Sequence, residues 1–279
     1  MITSPVRLTT LVDNTVGCPG LLGEHGLAFW IETGALRVLF DTGSGAVLGP
    51  NAATLGVDLA TTDAVVLSHG HYDHTGALSH VLDAAPRAEV FAHPAAFRAK
   101  YARKDDGAAR YIGVPSPVEE AVRQQGGGLM LSDEPTEIAN GLVVTGEVPR
   151  ATDFEDTGGP FFLDENCTCP DPLLDDQALF FSVAQGTVVI LGCSHAGLIN
   201  TLQYLRQLTN GRPIHAVIGG MHLLSASEER INQTIKALQR FRVNCVGPAH
   251  CTGIAATVSL WSAFPKECRP CTVGATFTF

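Results

Sequence analysis

Residues 65–78 read VVLSHGHYDHTGAL, which places His69, His71, Asp73 and His74 within six positions of one another, directly after an apolar run. Burying such groups is costly unless something satisfies them. Imidazoles together with a carboxylate form a donor set suited to zinc, and also to iron or manganese. The preceding DAVVLSH reads as a buried strand and the following GALSHVLDAA as a helix, so the cluster falls in a tight loop at a strand end. There His69 and His71 project toward one point, while Asp73 and His74, half a turn on, project toward a neighbouring one. Two adjacent metal ions fit that spacing better than a helix cap does.

The rest of the chain supplies a core large enough to hold such a site. Of its 279 residues 45% are hydrophobic, and no apolar run approaches the roughly 20 residues that span a bilayer. The N-terminus lacks the basic flank and apolar segment of a secretory signal, so a cytoplasmic protein without a membrane partner is expected. A formal charge of −10 disfavours nucleic-acid backbones and anionic membranes, although a local metal centre could still attract an anionic substrate. The eight cysteines are too dispersed for a disulfide scaffold. Cys167 with Cys169, and Cys268 with Cys271, would form a structural zinc site only if the fold joined the two segments; ordinary thiols are the simpler reading.

Strands separated by glycine turns open the chain at 8–13, 26–32 and 36–43, as in an antiparallel meander. Strand and helix then alternate: AEVFAHP is read as a strand and AAFRAKYAR as a helix. Two stretches read as irregular, 104–140 with one helix near 117–125, and 149–176, which has the character of a lid or of a dimerisation arm. Regular structure returns with a hairpin turning at Gln185-Gly186 and a helix in GLINTLQYLRQL. It continues with the strand IHAVIGG, a helix capped by Ser225 or Ser227, the strand VNCVGPAH, a helix in GIAATVSLWSAF and a closing strand. A single α/β domain over 1–279, with insertions near 104–140 and 149–176, is the expected organisation.

Ser68-His69-Gly70-His71-Tyr72-Asp73-His74-Thr75-Gly76 resembles the H-x-H-x-D-H signature of the metallo-β-lactamase superfamily, and Asp41-Thr42-Gly43 resembles its strand-end D-T-G. The likeness implies a four-layer αβ/βα sandwich, with two mixed β-sheets packed face to face, helices outside and a dinuclear metal site at one edge. EHGLAFWIE (24–32), TGEVPR (145–150), LGCSHAGLINT (191–201), GGMHL (219–223) and PAHCTG (248–253) are similar to the branch of dihydropterin-type methanopterin-precursor synthases. By this resemblance His69, His71 and His195 would hold one metal, and Asp73, His74 and His250 the other. Both later histidines also follow apolar strands, TVVILGCSH and CVGPAH, as the first cluster does. Asp41 would fix a ligand imidazole through a hydrogen bond.

There is one departure from the superfamily pattern. Where a Gly-Asp pair commonly supplies a metal-bridging aspartate, this chain has Cys193, which could be a thiolate ligand, a neighbour of the ligands or a buried thiol. Two divalent ions, zinc before manganese or iron, would activate a water for hydrolysis, with Asp73 ligating and orienting and His222 donating to an oxyanion or leaving group. Glu24 and His25 are placed at the mouth, and Arg150 either binds an anion or makes a surface ion pair. The expected substrate is a small molecule, a phosphodiester or phosphorylated heterocycle. A lactone or ester hydrolase, a di-iron redox protein and a non-catalytic metal-dependent binding protein remain open, as does a homodimer.

Overall fold

The computed structural model describes residues 1–34, 36–124 and 126–279. The first part of the chain forms β1 (Val6–Val12), β2 (Ala28–Thr33), β3 (Leu36–Phe40), α1 (Leu48–Thr54), β4 (Ala64–Val66), α2 (Tyr72–Thr75), α3 (Leu78–Ala84) and β5 (Glu89–Ala92). There follow β6 (Tyr101–Arg103), β7 (Ala109–Tyr111), α4 (Ser116–Gln124), β8 (Leu129–Leu131), β9 (Thr136–Ala139), β10 (Leu142–Val144) and β11 (Phe161–Phe162). The last part forms β12 (Ala178–Val183), β13 (Gly186–Leu191), α5 (Leu198–Leu208), β14 (Ile214–Gly220), α6 (Glu228–Phe241), β15 (Cys245–Ala249), α7 (Ile254–Ala263) and β16 (Thr276–Thr278).

Two large sheets result, ordered β16-β1-β2-β3-β4-β5-β8 and β15-β14-β13-β12-β10-β9. Each mixes antiparallel and parallel pairs: β1, β2 and β3 form the expected meander, after which β3, β4 and β5 run parallel. In the second sheet β12 and β13 form the hairpin, and β13, β14 and β15 run parallel. Period-two alternation sorts the side chains into layers. Val38 and Phe40 of β3, with Phe29 and Ile31 of β2, meet Leu179, Phe181, Val188 and Ile190 between the sheets. Leu39, Val65 and Val90 point the other way, onto Leu78, Val81 and Val118 of α3 and α4. Val189 and Val217 likewise back onto Leu202, Leu238 and Leu260 of α5, α6 and α7. The outcome is the four-layer αβ/βα sandwich.

The segment read as a helix at 95–103 is not one. Pro94–Phe97 makes a single short 3-10 turn, and Tyr101–Arg103 is a strand paired with β7 and β11 in a small third sheet. Residues 104–140 are also more regular than expected. They hold β7, α4, β8 and β9, and β8 and β9 extend the two main sheets; the expected helix end at residue 125 lies outside the described residues. Ser227 caps α6 by accepting from the Arg230 amide. Among the described residues no helix is long and apolar enough to cross a membrane.

The third sheet is fastened to the main body by a buried ion triad. Lys100 Nζ, 1% exposed, donates to Asp175 Oδ1 at 2.8 Å and to Asp171 Oδ2 at 3.0 Å. Asp175 Oδ2 accepts from the Gly70 amide at 2.8 Å, inside the histidine loop. A side chain at Gly70 would strike Ala96 O at 1.8 Å, so only glycine lets these segments close. Burial works against the Asp175 charge, but the Lys100 ammonium and the Gly70 amide overcome it and hold the carboxyl below its ordinary 3.8. Its contribution to stability is therefore complete above that pH and lost only as the pH falls through the depressed value. Lys100→Met should cost ~3–5 kcal/mol near neutrality, because two carboxylates then stay buried without their cation. Urea denaturation between neutrality and mild acid checks this: the variant should gain stability on acidification over a range where the parent does not.

Candidate metal centre

The histidine loop lies where β4 ends, opposite the ends of β13, β14 and β15. Four residues just past strand ends adopt left-handed backbone angles: Asp41 after β3 (φ 58°), Ser194 after β13 (61°), His222 after β14 (45°) and His250 after β15 (48°). Non-glycine residues rarely hold this conformation, each at ~1–3 kcal/mol, and such strain gathers at functional sites. Hydrogen bonds retain it here: the Asp41 amide donates to Val66 O and the His250 amide to Asp13 Oδ2, at 2.8 and 2.7 Å.

Two donor sets converge at this edge. One donor atom each from His69, His71 and His195 lie within 4.8 Å of one another. His69 Nε2 and His71 Nδ1 are 2.9 Å apart, and the His69 and His195 rings stand 4.8 Å apart. In the second set Asp73 Oδ2 is 3.9 Å from His74 Nε2 and 3.4 Å from His250 Nε2, and the two nitrogens are 3.3 Å apart. Cys193 Sγ lies 3.1 Å from His74 Nε2, so the thiol borders both sets. Cys251 was not foreseen; its Sγ joins Cys193 and His250 in a further group of donors.

The outer ring nitrogens of His69, His74, His195 and His250 are committed to the protein, which fixes tautomers. His69 Nδ1 donates to Ser68 Oγ at 2.9 Å, and that hydroxyl donates to Asp41 Oδ2 at 2.7 Å. Asp41 also accepts from the Ser68 amide at 2.7 Å and from His74 Nδ1 at 2.6 Å. His195 Nδ1 donates to Thr157 O and His250 Nδ1 to Asn14 Oδ1, both at 2.8 Å. The close approach of the two sheets here needs Gly192, where a Cβ would lie 2.0 Å from Ser68 Oγ.

These bonds leave His195 Nε2 as a lone pair, sealed from solvent and without a donor among the described residues, where His71 Nε2 is unpartnered too. A buried lone pair such as that of His195 is costly unless something occupies the space before it, and a divalent ion fits that requirement. Burial lowers the pKa of His69 and His195 well below the ordinary value and takes His71 down to about 3, so these rings are neutral, as ligands must be. His74 differs. Burial opposes its charge, but Asp41 and then Asp73 outweigh this and hold it up to about 9. Burial likewise opposes the Asp73 charge, while His74, His25 and His250 hold that carboxyl well below its usual range.

A flap closes over the donors. β11 pairs with β6, and the Phe161 ring lies 5.2 Å from His71 and 5.3 Å from His195. Residues 149–176, read as a lid or a dimerisation arm, thus place an aromatic side chain against two of the donor rings. His222 lies beside it, 4.2 Å from the His195 ring, with Nε2 3.3 Å from Gly158 O. His222 is in the turn after β14, and burial there opposes its charge, yet Cys251 and the Gly158 carbonyl raise its pKa.

Several expected placements need correction. His25 does reach the mouth, with Nε2 3.1 Å from Asp73 Oδ2. Glu24 does not: its carboxylate accepts from the Ser44, Gly45 and Ala46 amides and shapes the loop after β3. Arg150 forms no ion pair among the described residues and instead donates to His195 O and Pro172 O, both at 2.7 Å. Cys167, Cys169, Cys268 and Cys271 enter no potential metal-holding group among the described residues. Asp176, also not foreseen, accepts from the Ala196 amide at 2.8 Å, and burial pushes it up to about 6.

The metallo-beta-lactamase superfamily model matches residues 22–193, and the chain belongs to that superfamily. It is 29% identical, over 94% of its length and 92% of the relative's, to a Methanocaldococcus jannaschii protein named 7,8-dihydropterin-6-methyl-4-(beta-D-ribofuranosyl)-aminobenzene-5'-phosphate synthase. It is 33% identical to uncharacterized protein MJ0448 of the same organism, over 90% of this chain and 92% of the other. Among solved structures Tm1679, described as a metal-dependent hydrolase of the beta-lactamase superfamily, aligns with a TM-score of 0.83 at 31% identity, covering 98% of both chains.

Because His74 is held protonated up to about 9 without an ion, filling the second set must expel that proton. Zinc titration by calorimetry near neutrality, in buffers of different ionisation enthalpy, should show net proton release that declines as the pH approaches 9. Uptake of zinc with no proton release at any pH would contradict the assigned charge of His74.

Proposed function

We propose that this protein is a metal-dependent hydrolase of a small phosphorylated molecule, a phosphodiester or a phosphorylated heterocycle. The observation that carries the reading is the pair of adjacent donor sets, one of them containing a sealed His195 Nε2 with no partner among the described residues. His69, His71 and His195 would hold one ion, and Asp73, His74 and His250 the other, with Cys193 within reach of the second. The nitrogen, carboxylate and thiol donors favour zinc over manganese or iron. When bound, such an ion pair supplies an acidified water and polarises the bond under attack.

The chain's own residues do the rest. Asp41 keeps His74 and Ser68 in register, Thr157 O and Asn14 orient His195 and His250, and Phe161 excludes bulk water from the donors. His222 is suited to hand a proton to the leaving group, because its raised pKa keeps a protonated fraction near neutrality and its ring lies against His195. Support for a phosphorylated substrate comes from the phosphate in the name of the M. jannaschii relative. In a chain of net charge −10, attraction of such an anion falls to the centre itself.

A panel of aryl phosphodiesters, phosphorylated pterins and N-acyl lactones, assayed with zinc and with manganese, tests this. Phosphorylated substrates should be cleaved and lactones left intact, and His222→Asn should lower kcat ~100-fold or more for poor leaving groups but far less for nitrophenolate. Lactone cleavage without phosphoester cleavage would overturn the substrate class, and an unaltered His222→Asn profile would remove the proton donor.

A further inference from the structure

A cavity of about 450 Å³ opens on the outer surface between α5 and α6, away from the histidines. Its apolar part comprises Phe154, Ile199, Ala237 and Phe241, and Arg206, Lys236 and Arg240 line it as well. Asp153 is the one acidic residue among the lining groups. In a chain with 28 acidic and 18 basic side chains, three cations around one hollow invert the local charge. None of the three forms an ion pair among the described residues. Gln233, on the same wall, has a buried Oε1 with no donor among the described residues. The volume is that of a small-ligand site, and rings flanked by guanidinium groups suit a planar anion.

The wall carrying Phe154 belongs to the segment that orients the centre. Glu155 accepts from the Ile199 and Asn200 amides at 2.8 and 2.9 Å, fastening the segment to the start of α5. Asn200 Oδ1 in turn accepts from the Ala151 and Thr152 amides, both at 2.8 Å. Asp156 pairs with Arg230 of α6. Directly afterwards come Thr157 O and Gly158 O, which accept from His195 and contact His222. A ligand resting on Phe154 therefore presses on the strap whose far side holds both rings.

We infer that the α5–α6 cavity is a second binding site, for an aromatic anion bearing a sulfonate, phosphate or carboxylate, and that its occupation is felt at His195 and His222. The probe is anilinonaphthalene sulfonate, titrated by fluorescence into the full-length protein as purified. Its uncharged counterpart N-phenylnaphthylamine, with the same rings and no sulfonate, serves as comparison. One probe per chain is expected, with the uncharged counterpart at least about tenfold weaker. Arg206→Glu with Lys236→Glu should weaken the probe by a similar factor; both are exposed, so the fold should survive, as circular dichroism will show. Ala237→Trp should block binding by filling the hollow without altering charge. Imidazole NMR signals of His195 and His222 should shift on saturation. Binding unchanged in the charge-reversed and filled variants, equal affinity for the uncharged counterpart, or no binding overturns the site; binding with both imidazole signals unmoved overturns its link to the centre.

Discussion

The Asp41 carboxylate is the interaction on which the site depends. It is wholly buried and accepts three hydrogen bonds, from the Ser68 amide, the Ser68 hydroxyl and His74 Nδ1. One side chain at the end of β3 thereby joins the end of β4, the first histidine through Ser68 and the last histidine of the cluster. A buried carboxylate is tolerable only when so satisfied. Its charge also holds a proton on His74 when no cation is near, and that proton must leave when one binds. Remove Asp41, and the two donor sets lose their common reference.

Around this anchor the fold brings strand ends from both sheets to one edge. The apolar interior between the sheets sets their separation, and Gly192 permits the last approach to Ser68. Left-handed turns at Asp41, Ser194, His222 and His250 then redirect the chain where it leaves four strands. The strain of these turns is retained because packed strands and specific hydrogen bonds oppose relaxation. The Lys100 triad extends the same logic to the cover, fastening the small sheet that carries Phe161 to Gly70 in the histidine loop.

Much of this was legible in the sequence, and what was not has physical reasons. The His69–His74 cluster announced itself through local spacing, and His195 and His250 through apolar strands that end at each. The strands at 129–131 and 109–111 escaped notice because they are short and largely exposed, with no alternation to read. AAFRAKYAR has helical propensity, but pairing of Tyr101–Arg103 with strands on both sides overrides it. Lys100, Asp171 and Asp175 find each other across some seventy residues, which no local pattern reveals. Arg150 reads as an anion ligand or a surface ion pair and is a bracket between carbonyls, a role visible only once His195 and Pro172 are in place.

The central claim is that two neighbouring donor sets hold two ions. Plasma mass spectrometry of untagged protein, prepared without chelators and again after zinc loading and desalting, tests it most directly. Two divalent ions per chain are predicted for the parent, with His195→Ala losing the ion of the first set and keeping the scaffold by circular dichroism. Fewer than one ion per chain after zinc loading, or full stoichiometry retained in His195→Ala, would contradict the account.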